Sequence, residues 1–73
     1  MKWAVTSVSI SVKTRRRMGK AAVSVVDVEN LRRFGVKEPL STALDVEKYF
    51  EKTRSGRESV AKVVDVRLLD ERN

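Results

Sequence analysis

The sequence predicts a small α+β domain, one helix packed on a three-stranded sheet in the order β-α-β-β. Three observations carry this reading. Apolar β-branched residues alternate with polar ones near both ends of the chain, the signature of half-buried strands. Between them, Arg32 and Arg33 followed by Gly35 form a helix C-terminus, with cations in the last turn and glycine beyond it. The chain has 73 residues, enough for one domain (1–73) with a thin core, since such a length buries only about 60% of its unfolded surface.

The elements follow in order. Val8, Ile10 and Val12 alternate with Ser9, Ser11 and Lys13, which predicts a strand from about Ala4 to Lys13. The next segment reads two ways. Alternation around Val23 and Val25 allows a second strand, with the basic residues at a hairpin tip. The three- and four-residue spacing of Met18, Ala21 or Ala22, Val25 and Val28 allows a helix, and with the terminus at Gly35 the helix Arg17 to Phe34 is the preferred reading. Pro39 interrupts regular structure. Thr42 to Lys52 fits a helix capped by Thr42 or a strand with Leu44, Val46 and Phe50 on one side. The strand is taken, because Thr53 to Glu58 has turn composition with Gly56, and Val60 to Leu69 alternates as a closing strand.

Charge is the most informative feature for function. Residues 1–26 hold six basic side chains (Lys2, Lys13, Arg15, Arg16, Arg17, Lys20) and no acid, whereas residues 27–73 hold ten basic and ten acidic ones. The whole net charge of +6 therefore belongs to the first third of the chain. An Arg-rich run without neighbouring carboxylates suits a phosphate-bearing polyanion, because guanidinium forks match phosphate oxygens. Nucleic acid is the expected partner. A membrane is not, since the run lacks bulky apolar residues at helical spacing and no apolar stretch nears the roughly 18 residues that span a bilayer. Arg15, Arg16 and Arg17, flanked by Lys13 and Lys20, are the expected phosphate contacts at the start of the predicted helix. Lys52, Arg54 and Arg57 around Gly56 are a second candidate cluster, partly offset by Glu51 and Glu58.

Other chemistry is poorly represented. The chain has no Cys and no His, which removes disulfides, thiolate metal sites and the commonest general base, so no catalytic residue, metal or cofactor is expected. Asp45 with Glu47, and Asp70 with Glu71, read as solubilising or ion-pairing carboxylates. Of the four aromatics, Phe34 and Phe50 are expected in the core and Trp3 as an edge or interface plug, which leaves little for base stacking. The absence of Gln and Cys, with 36% charged residues, suits a thermophile's protein. The expected setting is cytoplasmic, associated with a nucleoid or a ribonucleoprotein. A homodimer is expected, because one helix cannot cover a sheet on both sides and so short a chain lacks any staple. A protein-interaction subunit of a larger ribonucleoprotein, or a virus-encoded accessory protein, is the alternative.

The run Lys13-Thr14-Arg15-Arg16-Arg17 leading into Lys20-Ala21-Ala22-Val23-Ser24-Val25-Val26-Asp27 resembles the Alba family of archaeal chromatin and RNA-binding proteins. The resemblance extends over about residues 8 to 69, through a basic Arg-Gly-containing hairpin and a final Val-rich strand. It implies a dimer that binds DNA or RNA with little sequence preference, its basic residues laid along the backbone. The family's first strand and helix, with their Gly-Lys-Lys-type loop, have no counterpart here, so the chain would be a shortened variant.

Overall fold

The computed structural model describes residues 1–69. Its elements are β1 (Lys2–Ser11), β2 (Arg17–Asp27), α1 (Val28–Arg33), α2 (Ala43–Arg54) and β3 (Ser59–Leu69). All strands are antiparallel in the order β2-β1-β3, so β1 is central and the chain returns through the helices to its second edge. The α+β class and the packing of a helix on a three-stranded sheet are as the sequence predicts. The element order is not: it is β-β-α-α-β.

Two segments exchange roles relative to the expectation. Residues 17–27 are strand, not helix. The β-branched Val23, Val25 and Val26 pair with Thr6, Ala4 and Trp3 of β1, and this ladder overrides a helical spacing with little intrinsic helix preference. The predicted helix end survives as the end of the six-residue α1, where Gly35 takes φ +89°. Residues 43–54 are helix, not strand. Thr42 caps the helix by accepting from the Asp45 amide (3.1 Å), while the Asp45 carboxylate accepts from the Thr42 amide (3.2 Å), a reciprocal capping box. Val46 and Phe50, one turn apart, are buried together, whereas Leu44 is exposed.

The core comprises Trp3, Val5, Val26, Leu40, Val46, Phe50 and Val63. Trp3 is therefore a core residue on the central strand, 6% exposed, rather than an edge plug. Phe34 is 79% exposed, against the expectation of burial, because it is the C-cap of a short helix and lies beyond its last turn. The sheet buries this one face beneath α2 and the segment leading to it. On the other face, alternating with Trp3 and Val5, stand Ala4, Thr6, Val8 and Ile10, with Val23 and Val25 of β2 beside them.

A register shift in the β1–β3 ladder lets Val63 follow Asp65 in pairing, with Val64 as the extra residue. The Val63 amide donates instead to Glu51 Oε2 at 2.8 Å. One turn on, the Ser55 hydroxyl donates to the Glu51 carbonyl and accepts from the Ala61 amide at 3.0 Å. These bonds fasten α2 to β3. Glu51→Ala leaves the Val63 amide without this partner and should cost about 1–3 kcal/mol. Urea unfolding followed through Trp3, the sole tryptophan, measures it; an unchanged midpoint would show that the bond contributes nothing.

Candidate nucleic-acid interface

The basic run forms the tip of the β1–β2 hairpin. Ser11 organises the turn: its amide donates to the Arg16 carbonyl (2.9 Å), its carbonyl accepts from the Arg15 amide (2.8 Å), and its hydroxyl accepts from the Thr14 amide (3.3 Å). Thr14 Oγ1 in turn accepts from the Arg16 amide at 3.2 Å. Arg15 takes φ 59°, a left-handed conformation that costs a side-chain-bearing residue about 1–2 kcal/mol. Gly19 takes φ +75° where the β1–β2 register shifts between Ser7 and Ser9, so it serves a strand irregularity.

Lys13, Arg15, Arg16, Arg17 and Lys20 are all exposed. Because residues 17–27 are strand, the cations do not sit at a helix N-terminus, and the attraction expected from free helical amides is absent there. What gathers them is the hairpin itself, together with the turn between α2 and β3. The Val12 amide donates to the Glu58 carbonyl at 3.0 Å, and Ser59 pairs with Ser11. Arg57 and Lys13 consequently line one recess, along with Ser11, Val12, Met18 and Glu58.

The second predicted cluster divides. Arg57 joins the hairpin tip. Lys52 instead pairs with Glu38 at 3.7 Å, and the Arg54 guanidinium lies 5.2 Å from the centre of the Phe50 ring. Both also offset the negative end of α2, whose last turn they occupy. Elsewhere Arg67 pairs with Asp65, and Arg32 donates to the Val36 and Glu38 carbonyls. Among the described residues, no ion pair engages Lys13, Arg15, Arg16, Arg17, Lys20 or Arg57, nor Lys2, Arg33, Lys37, Lys48 or Lys62. Lys62, paired with Val8 on the open face two residues from Ile10 and Arg17, adds a cation that the sequence reading passed over. Its alternation with buried Val63 in β3 was the available signal.

Of the carboxylates read as solubilising, Asp45 is a cap, and Asp70 and Glu71 lie outside the described residues. Among the described residues no group of three acids gathers to hold a metal ion, and no helix is long and apolar enough to cross a membrane. The chain matches no family model, no curated protein and no solved structure. The residues that carry the Alba resemblance lie on a hairpin and an edge strand, where that family has a strand opening into a helix.

Arg15→Gly provides a test of what the tip conformation is for. Relief of the left-handed strain should raise stability by about 0.5–1 kcal/mol while one cation is lost from the surface. Thermal unfolding read beside nucleic-acid affinity checks it. A strained arginine kept for its charge gives a higher midpoint and weaker binding, and a lower midpoint would refute the account.

Proposed function

We propose that the domain binds nucleic acid through the phosphate backbone, with little sequence selection, using the hairpin tip and Arg57. The observation that carries this reading is the gathering of six cations, none of them in an ion pair among the described residues, at one end of the sheet with Glu58 the one carboxylate lining their recess. Such a surface lowers its own electrostatic repulsion by taking up phosphates and releasing their counterions. Binding of random-sequence duplex or RNA should weaken steeply with salt. Five or six neutralised phosphates give a log–log slope of roughly −5 on duplex. A flat salt response, or no binding at about 50 mM salt, would sink the proposal.

The open face of the sheet supports a homodimer as the working form. Val23 and Val25 are 69% and 59% exposed, and Val8, Ile10, Val60 and Leu69 share their face, along with Lys62, Asp65 and Arg67 of β3. Ten-residue strands at about 3.3 Å per residue, three abreast at about 4.8 Å, make a face of roughly 33 by 14 Å. Two such faces stacked bury on the order of 1,000 Å², the lower bound for a specific interface. Stacking with the two β1 strands antiparallel sets Leu69 of one copy over Val60 of the other. It also keeps the two cationic ends apart, where parallel stacking would oppose them.

A further inference from the structure

We infer that the recess lined by Lys13 and Arg57 takes one unpaired nucleotide, so that the preferred ligand is a single strand. This rests on the nucleic-acid reading above and narrows it. The recess is an open depression of about 370 Å³, a volume within the range of small-ligand sites. Its lining is not that of a purely electrostatic surface. Val12 and Met18 are 49% and 51% exposed in the midst of the cations, and no part of the described chain covers them. A rigid duplex keeps its base faces stacked inside and offers phosphates and groove edges, none of which gains from an apolar depression. An unpaired base offers a flat face of matching size, on which a polarisable methionine packs well.

Lys13 and Arg57 both line the recess and can donate to the phosphates that adjoin that base. Glu58 completes it, and a carboxylate there would oppose a phosphate. It does suit a donor: its oxygens accept from the amino groups of cytosine, adenine or guanine and from the ring N–H of uracil, thymine or guanine. Every unpaired base brings such a donor, so sequence stays unread.

The test is fluorescence anisotropy on the intact chain with oligo(C), oligo(U) and a duplex, each of about 12 nucleotides per strand, a length within ordinary single-strand site sizes. The parent should bind oligo(C) and oligo(U) each about tenfold more tightly than the duplex at equal salt. Val12→Ser with Met18→Ser should remove the single-strand advantage and leave duplex binding unchanged. Trp3 emission verifies folding in the variant. Equal binding of single strand and duplex by the parent, or equal loss on both in the double variant, overturns the inference while the backbone reading stands. No binding to any of the three overturns both.

Discussion

Replacing Arg15, Arg16 and Arg17 together by Ala is expected to weaken nucleic-acid binding about 500-fold at 0.1 M salt. Each neutralised phosphate contributes roughly 0.9 to the log–log salt slope, so three contacts contribute about 2.7 decades between 1 M and 0.1 M. The slope itself should fall from roughly −5 to about −2. The three side chains are exposed and make no side-chain bond that holds the turn, which rests on backbone groups, Ser11 and Thr14. Folding should therefore survive, and relief of like-charge crowding should steady it slightly. Titrations across a salt series, with Trp3 emission as the folding control, decide the matter. A variant that binds as tightly as the parent would place the interface on another face.

The second large effect concerns assembly. At micromolar concentration the parent should sediment at twice its 8.3 kDa chain mass, and Val23→Glu with Val25→Glu should return it to 8.3 kDa. Both valines stand on the open face of β2, outside the core, so each folded copy tolerates the change. A stacked dimer does not, because it would take four carboxylates out of water together. The substitutions lower the net charge from +6 to +4 per chain, which reduces repulsion between copies. Dissociation would then come from the face itself and not from general charge. A parent that sediments as a single chain, with a melting temperature independent of concentration, would show that the face stays open in solution.

The sequence by itself determined the class of fold, the position of β1 and β3, and the end of α1 at Gly35. It also determined the charge arithmetic that singles out residues 13–20. These are local properties: alternation, a terminal glycine behind two arginines, and a run of cations can each be read without knowing what they touch. The tertiary structure decided which of two periods prevailed. Residues 17–27 carry both a helical and a strand spacing, and the unpaired edge of β1 selects the strand because Val23, Val25 and Val26 gain a ladder there. Residues 43–54 carry both as well. The reciprocal bonds of Thr42 and Asp45, with Val46 and Phe50 buried on one helical face against the sheet, select the helix. That exchange moved the arginines from a supposed helix start to a hairpin tip. It also brought Arg57 beside Lys13 across a long stretch of sequence and turned Lys52 and Arg54 toward Glu38 and Phe50. Burial followed from the same decision. Trp3 is covered because its strand is central, and Phe34 is exposed because its helix begins only at Val28. Short apolar runs satisfy either period, and only the neighbour that each run finds in space determines which one is used.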